Sequence, residues 1–387
     1  MSTNFDQIIN RRDTGSSKWQ QYGSDVLPLW VADMDFKSPE PVLSALHQRI
    51  DHGVFGYGSD PAELTAVVCE RMARRYGWQI EPESVVYLPG LVCGINTVCR
   101  ATGQPGNRVL VQTPVYPPFL TAPGHHQQEL ATAPLVLKTN GRTIEYRIDF
   151  DAFEAAIQPG TSLFILCNPH NPIGRGFTRD ELCRMAEICL RHNVTICSDE
   201  IHSDLLLNGT RHIPLASLSP EIEQQTITLI APSKTYNIPG LGCSIAIVPN
   251  PKLRAQLTRA MDGIVPHVNI LGYVAALAAY TEGDAWLAEL LEYLTANRDF
   301  VVNTISEQMP SIRTTVPQAT YLAWLDCRDS GIPGNPHRFF LEQAKVALND
   351  GRHFGQPGKG FVRLNFGCPR ATLEEALQKM QSALAQL

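Results

Sequence analysis

The chain has 387 residues, of which 44% are hydrophobic and 18% charged, with a formal net charge of −6. That length and apolar content suit one large or two medium globular domains, and the acidic balance excludes the basic footprint of a nucleic-acid binder. No apolar run approaches the roughly 20 residues of a membrane span, and the opening Met1-Ser2-Thr3-Asn4-Phe5-Asp6 has no charged stretch leading into an apolar one, so no secretory signal is expected.

Residues 1–40 are polar with little periodicity, and read as a segment that wraps over a large domain or completes a small one. From 41 to 284, short apolar runs alternate with helical patterns. Ser84–Leu88, Arg108–Gln112, Ser162–Cys167, Val194–Ser198, Thr226–Ala231 and Cys243–Val248 read as strands. They are continuously apolar rather than alternating, which suits a sheet covered on both faces. Between two of them, Thr178 and Glu181 have the spacing of a capping box. Leu182, Met185, Ala186 and Cys189 then follow at i, i+3, i+4 and i+7, one face of an amphipathic helix. Repeated strand–helix–strand units predict an α/β domain, its mostly parallel central sheet flanked by helices.

From 285 to 387 the texture changes. Helical patterns over Ala285–Gln308, Pro336–Leu348 and Thr372–Leu387 surround short strands such as Ala319–Leu325 and Phe361–Phe366, which reads as a smaller α+β domain. None of the ten cysteines forms a Cys-x-x-Cys pair, and most sit in apolar runs, as buried free thiols do in a reducing cytoplasm. His125-His126 reads as a surface loop, and no metal is expected.

Open α/β sheets bind ligands beyond the carboxyl ends of their strands. Three polar motifs hold that place: Asn168-Pro169-His170-Asn171-Pro172-Ile173-Gly174, Ser198-Asp199-Glu200-Ile201-His202 and Ala231-Pro232-Ser233-Lys234-Thr235. An amide, a carboxylate and an amine therefore converge on one mouth of the sheet. Pyridoxal 5′-phosphate (PLP) would use all three. It needs an amine for its carbonyl, an acid for its ring nitrogen, a donor for its phenolate oxygen and an anion site for its phosphate. Lys234 would supply the amine, Asp199 the acid, Asn171 the phenolate donor and Ser233 a phosphate contact. Pro89-Gly90-Leu91-Val92-Cys93 follows a strand and opens a helix, so the backbone N–H groups of Leu91 and Val92 are candidate phosphate ligands.

Further motifs are Leu29-Trp30-Val31-Ala32-Asp33-Met34-Asp35-Phe36, Gly53-Val54-Phe55-Gly56-Tyr57, Thr113-Pro114-Val115-Tyr116, Val362-Arg363-Leu364-Asn365 and Gly367-Cys368-Pro369-Arg370. With Asp-Glu-Ile-His and Ala-Pro-Ser-Lys-Thr, they make essentially the whole chain resemble the fold-type I PLP enzymes of the aminotransferase class I/II superfamily. More narrowly it resembles the aminotransferase-like C–S β-lyases, the cystathionine β-lyases and cysteine-S-conjugate β-lyases. The resemblance implies that Tyr116 stacks on the cofactor ring and takes part in catalysis. It implies that Tyr57 reaches the phosphate of a partner subunit's cofactor, so that the enzyme is a homodimer. It places Arg363 on the substrate α-carboxylate, a planar group that suits a forked guanidinium, with Asn171 beside it. Two positions stand out. Gly242 occupies a site that the resemblance makes basic in many relatives, so either another group balances the phosphate or cofactor affinity is lowered, and His202 stands where transaminases carry a tyrosine on the phenolate oxygen, an exchange that favours the lyase branch.

The implied activity is β-elimination from L-cystathionine or another cysteine S-conjugate, in the cytoplasm, with Lys234 as the general base. A transaminase on the same fold is the nearest alternative. A regulatory or binding protein that keeps the fold without turnover is the alternative of another class, and intact Lys234, Asp199 and Arg363 argue against it. Gly355-x-x-Gly358-x-Gly360 lies near the C-terminus and reads as a loop, not as a dinucleotide fingerprint.

Overall fold

The computed structural model describes residues 3–207 and 209–387. Met1 and Ser2, part of the opening read for a signal, and Asn208 lie outside them.

The apolar runs of the middle of the chain assemble into a seven-stranded sheet. Its spatial order is Val85–Leu88, Ser244–Ile247, Thr226–Ile230, Thr195–Asp199, Thr161–Cys167, Arg108–Thr113 and Glu129–Pro134. Only Ser244–Ile247 runs antiparallel to its neighbours; the remaining pairs are parallel. The runs are continuously apolar because both faces are covered. Val109, Val111, Leu163, Ile165, Cys197 and Leu229 pack under Ile95, Val98 and Cys99 of the helix Leu91–Thr102. The alternate residues Leu110, Phe164, Leu166 and Ile196 pack under Leu182, Met185 and Cys189 of the helix Arg179–Arg191. Each fully buried large apolar side chain contributes about 1.5–3 kcal/mol. The capping box forms as its spacing predicts: Glu181 N–H donates to Thr178 Oγ1 at 3.3 Å, and Thr178 N–H donates to Glu181 Oε2 at 2.9 Å.

The C-terminal strands form a second sheet of six, ordered Asn349–Asp350, Phe361–Asn365, Leu322–Asp326, Arg313–Thr314, Thr143–Arg147 and Val136–Asn140. Its last two strands are a hairpin contributed from the middle of the chain. The expected helices near its ends form as Asp284–Gln308 and Arg370–Leu384. The strand expected from Ala319 begins only at Leu322, because Thr320 takes a left-handed φ of 69°.

The helix expected over Pro336–Leu348 is a correction. One α-turn, Pro336–Phe339, widens into a π-type turn, Phe340–Ala344, and Lys345 then takes φ 54° and leaves the helix. Val346 and Ala347 pair instead, parallel, with Leu27 and Pro28. The N-terminal segment is thereby fastened to the C-terminal part of the chain, and Asn365 Nδ2 extends the attachment by donating to the carbonyls of Val31 and Asp33 at 2.6 and 2.7 Å. The same segment is tied to the large sheet: Asn237, three residues past Lys234, donates to Met34 O and Phe36 O and accepts from Met34 N–H. Trp30–Phe36 therefore runs as a strap between the two sheets.

His125 closes the helix Pro117–His125 rather than lying in a loop, and its Nδ1 faces Asn96 Oδ1 at 3.0 Å. All ten cysteines are free, seven of them buried. Among the described residues, no helix is long and apolar enough to cross a membrane.

Candidate active site

The carboxyl ends of the central strands open into a cavity of about 420 Å3. Each polar motif enters it from a strand end. Beyond Thr161–Cys167 the chain folds back on itself: Asn171 N–H donates to Cys167 Sγ at 3.4 Å and Phe177 N–H to Asn168 Oδ1 at 3.1 Å. That leaves the Asn171 side chain facing the cavity. Thr195–Asp199 delivers its last side chain to the wall, and Thr226–Ile230 leads through Ala231 into the Pro232–Thr235 turn that carries Lys234. Arg363 arrives from the smaller sheet.

Lys234, Asp199, Asn171, His202, Tyr116, Ser233, Leu91, Val92 and Arg363 all line this cavity. Tyr57 does not; it is fully exposed in the stretch before the helix Ala62–Tyr76. Sequence reasoning missed Trp30, Ala32 and Asn349. The Ala32 carbonyl accepts from Lys234 Nζ at 2.7 Å and from the Tyr321 hydroxyl at 2.9 Å. Asn349 sits opposite Arg363 in the strand ladder and its Oδ1 accepts from the guanidinium. It carried no signal, because its register appears only once the supposed helix before it is seen to break.

Burial dominates the electrostatics. It pushes the Lys234 amine down to about 8, with Asp33 and Asp199 opposing and Arg363 adding to the effect. It pushes the Asp199 carboxyl up to about 7, against one hydrogen bond from Ile201 N–H at 3.1 Å, while Glu200 adds to the rise. It pushes His202 down to about 3, assisted by Lys234 and Arg363, so the ring is neutral, and its Nδ1 is buried with no partner. Arg363 is lowered to about 10 by burial. Its Nη1 donates to Asn171 Oδ1 at 3.0 Å and its Nη2 to Trp30 O at 2.8 Å, while Nε is buried without a partner.

These groups define what a ligand must bring: an anion for Arg363, a cation for Asp199, a partner for His202 and an electrophile for a near-neutral amine. The side of the cavity beside Gly242 is built largely from backbone. Gly242 has φ +61°, and a Cβ there would come within 2.9 Å of the Pro89 carbonyl oxygen. The turn is thus pressed bare against the residue pair that opens the helix Leu91–Thr102, whose first N–H groups are free to hold an anion. Lys234 and Arg363 are the only Lys or Arg side chains among the described residues lining the cavity. The helix start at Leu91 and Val92 and the Ser233 side chain are the remaining anion-binding candidates on this side of the cavity. The donor set fits PLP.

Comparisons with known proteins point the same way. Residues 24–380 match the model of the family described as aminotransferase class I and II. The chain is 40% identical to the cystathionine beta-lyase PatB of Bacillus subtilis, over 99% of this chain and 100% of the relative. Among solved structures it superposes on OvoB with a TM-score of 0.94 and 44% identity, covering 99% of this chain and 100% of that one. It superposes equally on cystalysin from Treponema denticola, which contains PLP, with a TM-score of 0.94 and 32% identity over the whole of both chains.

Proposed function

Because the chain belongs to the aminotransferase class I and II family, we propose that it is a PLP-dependent carbon–sulfur β-lyase acting on L-cystathionine or other cysteine S-conjugates. The observation that carries this reading is the full-length relationship to a cystathionine beta-lyase, joined to a cavity that gathers Lys234, Asp199 and Arg363. In the net reaction the S-conjugate and one water give a thiol, pyruvate and ammonia.

When bound, PLP supplies an electrophilic carbon for amines and a ring that accepts electrons from Cα. Lys234 would hold it through Nζ, Asp199 against the ring nitrogen and Tyr116 against the ring face. Asn171 and His202 would meet the phenolate oxygen, and Ser233 with the N–H groups of Leu91 and Val92 the phosphate. Arg363 takes the substrate α-carboxylate and orients Cα toward Lys234. Its guanidinium is held in place by Asn171, Trp30 O and Asn349 before substrate arrives, so little reorganisation is required. Lys234 Nζ, lowered toward neutrality by burial, removes the Cα proton. The Cβ–S bond then breaks, and the sulfur leaves as a thiolate.

The working unit in this proposal is a cytoplasmic homodimer in which Tyr57 of the partner subunit reaches the phosphate. Exposed Val54, Phe55, Tyr57 and Ile264 support it, as does Val92, which lines the cavity yet stays exposed. The functional test is stoichiometry. Purified protein with PLP should convert L-cystathionine to equal amounts of homocysteine and pyruvate. Failure to release thiol from cystathionine or from any smaller cysteine S-conjugate would overturn the reading.

A further inference from the structure

Glu200 directly follows Asp199 and stays in the ladder, its N–H donating to Leu229 O at 2.8 Å. Side chains on successive extended residues face opposite sides. Asp199 accordingly faces the cavity, and Glu200 faces the same way as Ser198, away from it. There Glu200 Oε1 accepts from Ser198 Oγ at 2.7 Å and from Leu215 N–H at 3.0 Å, while Oε2 meets His212 Nε2 at 2.7 Å. The two side chains are 2% and 1% exposed. The proposed mechanism uses neither of them.

Their position gives them a use. Asp199 must be anionic to keep a ring nitrogen protonated, but it is desolvated, and a bare Glu200 charge beside it opposes its ionisation. We propose that His212, as an imidazolium, cancels the Glu200 carboxylate and so lets Asp199 hold its negative charge against the ring nitrogen of the bound cofactor. Glu200 and His212 are then positioning residues that act through Asp199, and the inference rests on the cavity being a PLP site.

The surroundings leave this pairing intact. The Tyr76 ring meets the His212 ring edge-on at 5.6 Å. His212 also borders an open cleft of about 740 Å3, whose other charged groups are Arg75, Asp204, Arg211, Glu292 and Asp299. Of these, Asp204 is engaged by Arg71, Arg75 and Tyr76. On the cavity side the nearby charges are Asp199 and Lys234.

The test is a charge cycle read by PLP affinity, from the absorbance of bound PLP at pH 7.5. His212→Gln keeps a hydrogen-bond donor to Glu200 and removes the positive charge. It should weaken PLP binding roughly tenfold, the equivalent of one pKa unit at Asp199. The double variant Glu200→Gln/His212→Gln removes both charges and should return to within about threefold of wild type, well short of that one-unit effect. A purely structural role predicts a double variant at least as impaired as the single one, and that result would overturn the proposal. Glu200→Gln alone removes the carboxylate beside Asp199 and should leave PLP affinity at or above that of wild type. If His212→Gln does not fold, Glu200→Gln decides alone: a tenfold loss of PLP affinity in it counts against the proposal. A wild type that takes up no PLP overturns the cofactor reading itself. A wild type that binds PLP beside a His212→Gln that binds it equally overturns only the charge-balancing role.

Discussion

Lys234 and Asp199 are costly residues to keep. Both are buried and both are pushed toward their neutral forms in the cofactor-free protein. Borohydride reduction of the PLP-loaded protein should fix the cofactor on Lys234, and mass mapping to another lysine would displace the assignment. Lys234→Ala should abolish the adduct and lower turnover by roughly 10^2–10^4-fold. Asp199 makes a second, less obvious prediction. A carboxyl whose pKa is raised on folding contributes stability that is complete below its unfolded value of about 4 and is lost as pH rises through the folded value of about 7. Asp199→Asn should therefore stabilise the cofactor-free protein at pH 8 by ~2–4 kcal/mol, leave it nearly unchanged at pH 4, and cost orders of magnitude in kcat. Denaturant unfolding of both proteins at the two pH values checks this; a variant no more stable than wild type at pH 8 would contradict it. Arg363→Ala should lower kcat/KM for every α-amino acid substrate alike, by roughly 10- to 100-fold. The residues most legible in the sequence, Lys234, Asp199 and Asn171, are those that follow a recognisable strand. The Ala32 carbonyl was illegible because any residue type presents one.

Elements were readable where hydrophobic pattern and burial agree. The central strands appeared as continuous apolar runs because helices cover both faces, and the helix Arg179–Arg191 announced its start through Thr178 and Glu181. Pro336–Leu348 failed because Phe340 and Ala344 are buried at helical spacing although Lys345 turns the backbone away. The pattern fixed which side chains point inward, while pairing with Leu27–Pro28 decided the conformation beyond Lys345. The turn around Gly242 is another element whose meaning emerges only in space. Its left-handed φ and its approach to the Pro89 carbonyl oxygen disfavour any side chain there. Gly242→Ala should destabilise the cofactor-free protein by ~1–3 kcal/mol and weaken PLP binding beyond what the stability loss explains. Thermal unfolding beside a PLP titration separates the two effects, and unchanged affinity would contradict the backbone-cradle account.

At the scale of the molecule, the strap Trp30–Phe36 joins the two sheets over the cavity, and Arg363 crosses from the smaller sheet to the mouth of the larger one. The fold class was legible from the alternation of strands and helices; the strap and the hairpin Val136–Arg147 were not, since both take their places through contacts distant in sequence. The exposed Tyr57 belongs to this scale. Sedimentation should show a dimer, and Tyr57→Phe should loosen PLP without dissociating it; a monomer with full PLP affinity would contradict the shared site. The central claim, elimination rather than amino transfer, is tested most directly by omitting the keto acid. With L-cystathionine alone, the protein should form homocysteine, pyruvate and ammonia over many turnovers, while alanine with 2-oxoglutarate should give negligible turnover for want of a leaving group on Cβ. An obligatory requirement for 2-oxoglutarate, with glutamate accumulating in proportion to product, would contradict the lyase account and make the protein a transaminase.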